Sequence, residues 1–380
     1  MTQSVLIIAG VTFLVLMSLI ASVNLTMDNE MARSRYAALL GFAVDQPGEK
    51  VIELAKAVVG TKNVELWQRH SFEISQNGVA LTQKGSLGVQ MLALPVTSEM
   101  YKPFIESGRW FQASDAGERL LIISAETAEL SGIHVGDNVD VDMGSAKKQS
   151  WQIIGTYRWL AGNNFVVEPV YAPLETVQNL SKRKLQKEAA SFALIDASIN
   201  TLTEEADYLS QLKQSFRNEH IPLDVYTTHA KLEQRQFTRN QLNPMIATLF
   251  GLAAMIAAVG GIGLSGTLAI GVLQRTREIG VLRAVGAPSA AVIRLFMLEG
   301  LLHGVIAWLI SIPLAFYAAE PIAQELGLSL FHIKLDYAFD NMAIIYWLVI
   351  VLVLALMASI WPATKAAKLT VRECLGLVDY

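Results

Sequence analysis

The residues whose chemistry could drive a reaction are few, and their spacing is poor. His70, His134, His220 and His229 are scattered, without the short intervals that bring metal ligands together. Glu204, Glu205 and Asp207 form an acidic run that could hold a cation. They also open a segment of helical periodicity, where acids act as first-turn and capping residues and favour the helix dipole. Trp67, Trp110, Trp151 and Trp159 could line an apolar substrate surface, but buried core positions account for them without a ligand. Cys374 is the single cysteine, which leaves no disulfide framework. The sequence contains no Gly-x4-Gly-Lys-Ser/Thr phosphate loop, so it does not bind ATP by that route. The expectation is a chain with no catalytic residues, no metal site and no cofactor of its own.

The elements that carry these residues are shaped by lipid. Of 380 residues, 52% are hydrophobic and 17% charged, against about a quarter charged in soluble domains. The net charge of −4 gives no reason to expect nucleic-acid binding. Apolar residues concentrate in runs at 4–23, 245–273, 292–318 and 342–361. Each is long enough for the roughly 20 residues that cross a bilayer. The second exceeds that length and should tilt or project. A cleaved signal peptide is the alternative for the first run. The preceding Met-Thr-Gln carries no base, however, and the run is longer than a usual signal core.

Orientation follows from the short connectors. Between the second and third runs stand Arg275, Arg277, Arg283 and Arg294 against Glu278, and the tail at 362–380 carries Lys365, Lys368 and Arg372. The connector between the third and fourth runs is acidic, with Glu320, Glu325, Asp336 and Asp340 against Lys334. The basic segments are therefore expected in the cytoplasm of a bacterium, with both termini. Residues 26–243 then lie outside the plasma (inner) membrane. Arg33 and Arg35 run against this rule, but they open a long domain, where charge counts weigh little.

That outer domain is expected to be mixed α/β in two lobes. Strand-like alternation occurs at 64–75, 89–94, 120–124, 138–142 and 151–155, and helical spacing at 49–59 and 204–220. Turn signals fall at Asn77-Gly78 and Val135-Gly136-Asp137. Residues 226–243 are polar and helix-permissive and run into the second span, with Pro244 at the junction as a candidate kink. They predict a helical stalk in preference to a flexible linker.

Two further patterns concern the spans. Ala253, Ala257, Gly261, Ser265 and Ala269 recur every four residues along one face of span two. Small residues in that register let helices approach closely in lipid, either as a dimer seam, the reading adopted, or within one subunit. Glu299 and His303 are nearly the only ionisable groups inside a span, and Glu299 is expected to pair with a nearby arginine or a partner helix. So few charges argue against a polar channel.

Residues 274–287 form a basic, amphipathic segment with Ile279, Leu282 and Val285 near one side, closed by Gly286 and Pro288. Read alone, it is an interfacial helix obeying the positive-inside rule. Its string Arg277-Glu278-Ile279-Gly280, then Arg283-Ala284, Gly286-Ala287, Ile293, Phe296 and Glu299, resembles the signature of FtsX-like permeases in MacB-type (type VII) ABC transporters. Ser107-Gly108-Arg109-Trp110-Phe111, Val135-Gly136-Asp137-Asn138-Val139 and Trp151-Gln152-Ile153-Ile154-Gly155 resemble phrases of that family's periplasmic core domain. Trp361-Pro362-Ala363 with Ala366-Ala367 resembles its ending.

The resemblance implies four transmembrane helices with a large extracytoplasmic domain between the first two. Residues 1–25 would be the first helix and 244–380 the permease domain. Arg275, Arg277, Glu278, Ile279, Gly280, Leu282, Arg283, Ala284 and Gly286 would form a coupling helix on a cytoplasmic ABC ATPase, which would hold ATP and Mg. The chain lacks the basic amphipathic segment with which members usually begin, so the partner permease is open between a second copy and a homologous half. Transmission of ATP-driven motion to the outer domain for export or extraction of a substrate is the function implied, with a periplasmic adaptor as a further partner. The alternative is an FtsX-type subunit that controls an outside enzyme such as a cell-wall hydrolase.

Overall fold

A computed structural model of the chain describes residues 2–76, 78–80, 90–142, 148–159, 168–180, 188–199, 201–331 and 333–369. Asn77, Val89, Arg372 and Cys374 lie outside them. In chain order the elements begin with α1 (Thr2–Ala32), β1 (Ala38–Pro47), α2 (Gly48–Lys56), β2 (Thr61–Ser71), β3 (Glu73–Gln76), β4 (Val79–Ala80), β5 (Gln90–Leu94), β6 (Ile105–Gly108) and β7 (Leu120–Ser124). They continue with α3 (Ala125–Ser131), β8 (Asn138–Asp142), β9 (Gln149–Tyr157), β10 (Pro169–Pro173), α4 (Leu174–Leu180), β11 (Ala189–Ala197), α5 (Leu202–Asn218) and β12 (His229–Ala230). Four further helices end the described chain: α6 (Lys231–Gln274), α7 (Thr276–Ala284), α8 (Ser289–Phe331) and α9 (Asn341–Lys368).

Two compact units result. One comprises Met1–Thr26, Leu242–Gly327 and Lys334–Tyr380, the other Met27–Gln241 and Leu328–Ile333. The helices α1, α6 and α8 each contribute residues to both.

In the first unit, α1, α6, α8 and α9 are long and apolar enough to cross a membrane. Leu6, Leu14, Leu264, Ala307, Trp347 and Ala355 belong to their shared core. Where α8 meets α9, Gly300 faces Ser359 so closely that a Cβ would collide with the hydroxyl. Ser18, Ser22 and Thr26 are fully buried along one stripe of α1. The backbone amides of Asp340, Ala338 and Asp336 donate to them at 3.4, 3.0 and 2.8 Å. The match is geometric. Hydroxyls four apart on a helix are about 6 Å apart, and alternate residues of an extended chain advance about 6.6 Å. Glu320 and Glu325, expected in the connector, sit on α8, because that helix runs thirteen residues past the apolar run at 292–318.

The second unit holds one twelve-stranded sheet in the order β12-β1-β11-β2-β5-β10-β7-β9-β8-β3-β4, with β6 pairing β9. The β5–β10 and β7–β9 pairs are parallel. The two expected lobes are thus halves of one sheet, and β2 belongs to both, pairing β11 on one side and β5 on the other. Helices α2 and α5 cover one half through Val51, Ala55, Leu212 and Phe216. On the other half, α3 and α4 place Ala128 and Val177 over Leu121, Ile123 and Trp151. A third cluster includes Trp67, Trp110, Tyr157 and Tyr171. Trp67, Trp110 and Trp151 are therefore core residues. The long strand read at 64–75 is interrupted at Phe72 and becomes β2 and β3.

Three phrases quoted above meet on β9. The amide of Arg109 donates to Ile154 O at 3.0 Å, and that of Gly136 donates to Ile153 O at 2.7 Å. Arg109 then forms a two-pronged ion pair with Asp115, at 2.6 and 2.9 Å.

The predicted stalk is helical from Lys231 onward, whereas residues 226–230 form a turn and β12. The helix continues through Pro244. Its first turn is tied down. The amides of Leu232 and Glu233 donate to the carboxylate of Glu205, at 2.9 and 3.1 Å. Glu205 thus caps a helix, as acids at such positions do, but it caps α6 while standing on α5. Glu204 occupies the position predicted for it, its amide accepted by the Thr201 cap.

Two predictions follow from the second unit. Gly108 holds φ +76°, and a Cβ there would strike the carbonyl of Ile154, which as backbone cannot turn aside. Gly108→Ala should destabilise the domain by about 2 kcal/mol, seen as a lower tryptophan-fluorescence unfolding midpoint; an unchanged midpoint would contradict the packing. Glu168 is 2% exposed, and burial pushes its carboxyl up to about 7, although the Thr127 hydroxyl donates to it at 2.9 Å. A folded value above the unfolded one, about 4.3, means the linked stability is whole below that pH. It is lost as pH rises through the folded value. Glu168→Gln should therefore flatten the decline in unfolding midpoint between about pH 4 and 7.

Candidate coupling surface

Helix α7 lies between α6 and α8 in the chain and is short. Arg275 stands at its N-cap, and Gly286, at φ +98°, lies just beyond its end. The amides of Gly286 and Ala287 donate to Arg283 O and Leu282 O, both at 3.0 Å, satisfying carbonyls that the last turn leaves open. Only a residue free to take positive φ ends the helix this way, which accounts for glycine at 286.

One face of α7 is anchored. Ile279 is 2% exposed and packs with Val272, Val292, Phe296, Ala363 and Ala366, drawn from α6, α8 and α9. Gly280 is buried beside it. Arg283 adds a polar clamp. Its guanidinium donates to Leu369 O at 2.7 Å, to the Ser289 hydroxyl at 2.6 Å and to Ala367 O. The two carbonyls belong to the C-terminal end of α9, where the helix dipole is negative and a cation is favoured. Arg283, predicted to face a partner protein, is thus turned inward and fastens α7 to α9.

The opposite face is open. Arg277, Glu278, Ala284 and Gly286 are exposed, and Val281, Leu282 and Val285 are 52%, 46% and 84% exposed. An apolar trio rimmed by charge on a helix seated in the fold is the composition of a protein-binding patch. Arg275 leans the other way and pairs with Glu299 at 3.4 Å. This is the arginine partner expected for Glu299. The ring of His303 contacts Glu299 O at 2.8 Å within the same helix. Near the end of α9, Lys365 Nζ stands 4.0 Å over the Trp361 ring.

The small-residue face of span two, expected as a dimer seam, is partly filled within the chain. Ala253, Ala257 and Gly261 are buried within the chain, while Ser265 and Ala269 are half-buried. Ala257 shares a core with Leu6 and Ala9 of α1. Packing within one subunit accounts for Ala257, whereas a Cβ at Gly261 would meet nothing within 4 Å. The spacing identified a close-packing face but carried no information about which helix fills it. On the far side of α6, Met255, Val259, Ile262 and Leu273 are exposed.

Among the described residues, no group of three His, Cys, Asp or Glu could hold a metal ion. His134 is exposed beside Asp137, and His70 and His229 are half-buried, burial lowering both pKa values. The sequence reading missed the ladder of Ser18, Ser22 and Thr26. Three hydroxyls at four-residue spacing in an apolar run were the available signal.

Comparison with known proteins bears on this region directly. Residues 250–371 match the family described as FtsX-like permease C-terminal. The chain is 25% identical over 368 residues to the uncharacterized ABC transporter permease YknZ of Bacillus subtilis, covering 92% of this chain and 82% of that one. It is 30% identical over 178 residues to the pyoverdine export ATP-binding/permease protein PvdT of Pseudomonas syringae pv. syringae, covering 45% of this chain and 25% of that longer protein. Among solved structures, the periplasmic region of MacB from Actinobacillus actinomycetemcomitans aligns with 56% of this chain and 98% of its own, at 10% identity and a TM-score of 0.37. Residues 250–371, with α7 in their first third, are an FtsX-like permease domain on a chain whose relatives along most of its length are ABC transporter permeases.

Proposed function

We propose that this chain is the membrane subunit of an ABC transporter and that α7 receives motion from a separate cytoplasmic ATPase. One observation carries the reading: a helix whose inner face is fixed by Ile279 and Arg283 presents Val281, Leu282 and Val285 outward. A push on that face is delivered to α6, α8 and α9 together, since all three supply the side chains around Ile279. ATP and Mg belong to the partner, because the phosphate-loop motif is missing from this sequence. The relative PvdT is named as an ATP-binding and permease protein in one chain.

The arginines and lysines around α7 and the end of α9 favour a cytoplasmic position for that side and for both termini, with residues 26–243 outside. The 44-residue α6 is then the rod through which motion leaves. At its outer end, Glu205 fixes the first turn to α5, and Lys231 Nζ donates to Ser34 O at 2.5 Å. These bonds favour a seated rod over a loose tether. Drive from α7 to the outer domain, for export or extraction of a substrate, is the function this arrangement fits. The partner permease, a second copy or a homologous half, would meet the chain at a surface other than the buried face of α6.

The test is co-purification of ATPase activity from source membranes with the full chain. Leu282→Asp and Val285→Asp should each reduce the recovered activity by about tenfold or more, the range expected when a charge enters an apolar contact. Full recovery with both variants would overturn the reading. Arg283→Met should behave differently. It removes charge-assisted bonds worth about 2 kcal/mol to the clamp, lowering the unfolding midpoint while the ATPase is still recovered in the cold. Loss of the ATPase at an unchanged midpoint would instead make Arg283 a docking residue.

A further inference from the structure

We infer that a cavity beside the C-terminal end of α5 binds an acidic polypeptide segment. The cavity, about 400 Å³, lies wholly within the second unit. Lys213 and Arg217 line it from α5, and Ile221, Leu223, Asp224 and Val225 line it from the chain beyond. His220 brings the two together. It holds φ +57°, where glycine is usual. The amides of His220 and Ile221 donate to Arg217 O and Phe216 O, both at 3.0 Å, which turns the chain sharply back at the helix end.

The two cations stand four residues apart on one face of α5, a spacing at which like charges repel and cost stability. No acid lies three or four residues from either along the helix. Neither forms an ion pair with a described residue. The acids nearby are otherwise engaged. Glu219 pairs with Lys50 at 2.9 Å, and Asp224, the carboxylate of the lining, accepts the amide of Tyr226 at 3.0 Å. Glu233 lies outside the lining and acts on His229, whose pKa is lowered by burial, raised by Glu233 and lowered by Lys213. A carboxylate entering the cavity would therefore meet two charged donors without displacing a native partner.

The rim selects a polypeptide over a small anion. Val225 and Tyr226 are 85% and 95% exposed, on a turn that is pinned to the sheet. The amide of Thr228 donates to Asp224 O at 3.0 Å, that of Asp224 to Gly41 O at 2.8 Å, and the Thr228 hydroxyl to Gly41 O at 3.1 Å. An apolar side chain and an aromatic ring are thus held out in a fixed position, so binding has little left to order. Tyrosine and arginine are residue types in which binding hot spots are enriched. Tyr226 lies outside the cavity lining, and a ligand that touches it must be longer than the cavity. A chain segment with a carboxylate at Lys213 and Arg217 and an apolar side chain on Tyr226 meets both demands.

This site does not depend on the ATPase reading, and the chain alone tests it. The full chain, in nanodiscs of neutral phosphatidylcholine, is titrated against a rhodamine-labelled peptide of Gly, Ser and Glu with a central Leu. A counterpart carrying Gln for each Glu is the comparison, and fluorescence anisotropy is the readout. The Glu peptide should bind about tenfold tighter at low salt, the gain from two partly exposed ion pairs. That gap should narrow as salt is raised. Lys213→Gln combined with Arg217→Gln should erase the preference without lowering the unfolding midpoint, because a repulsion is removed. Arg217→Lys should keep the preference, as should exposed Lys62→Gln, and Tyr226→Ala should weaken both peptides alike. Equal affinity of the wild type for the two peptides, or a preference that survives the double neutralisation, would overturn the proposal. A lowered midpoint in the double variant would assign the pair to stability instead. Unchanged binding in Tyr226→Ala, or displacement by equimolar free glutamate, would mark a site for a small carboxylate and refute the polypeptide.

Discussion

Peptide groups shut away from water must find partners within the protein, because an unpaired one costs about as much as a lost hydrogen bond. A helix meets this demand internally, whereas the irregular connection between α8 and α9 does not. Three of its amides are answered by Ser18, Ser22 and Thr26 on α1. The hydroxyls of Ser22 and Thr26 also donate to carbonyls one turn back, at 2.7 and 2.8 Å, so each is used twice. This pairing commits α1 to the α8–α9 side of the bundle, and the close packing of Leu6 and Ala9 with α6 then follows. A span that began as one apolar run among four is thereby the element against which the others are registered.

The same economy governs the ends of the helices that carry motion in the proposed mechanism. Charges standing on neighbouring elements cap the termini. The carboxylate of Glu205 on α5 meets the first amides of α6, and the guanidinium of Arg283 on α7 meets the last carbonyls of α9. A helix capped from outside itself cannot shift without disturbing its neighbour. Two groups that look like surface charges in the sequence are, in the fold, joints between elements.

Much of this was legible from residue types. The four spans, α2, α5, the alternating strand β8 and the short apolar run of β7 stand where the sequence placed them, and the string around Arg277 and Glu278 led to the permease family. Strands β10 and β11 were missed for a physical reason. Val170–Ala172 and Ala190–Ile195 are buried throughout, and a strand buried on both faces loses the alternation by which strands are recognised. The face of α6 from Ala253 to Ala269 was read as a packing surface, and Ala253 and Ala257 do pack within the chain, since spacing reports a contact but not its partner. Arg283 belonged to the right string, but its orientation depended on where α9 ends, about 85 residues later, which no local pattern encodes.

The terminal strands of the twelve-stranded sheet, β12 and β4, are two residues long apiece. An open row of amides and carbonyls is what recruits a foreign chain into fibrillar growth, and a border as brief as β12 gives it almost no template. At one border, the chain leaves β12 directly into a helix, so the ladder cannot lengthen in that direction. Proteins confined to a bilayer meet their own kind far more often than those free in solution. A sheet this wide, repeated across a crowded plane, can therefore stay separate from its copies without spending charged residues as guards.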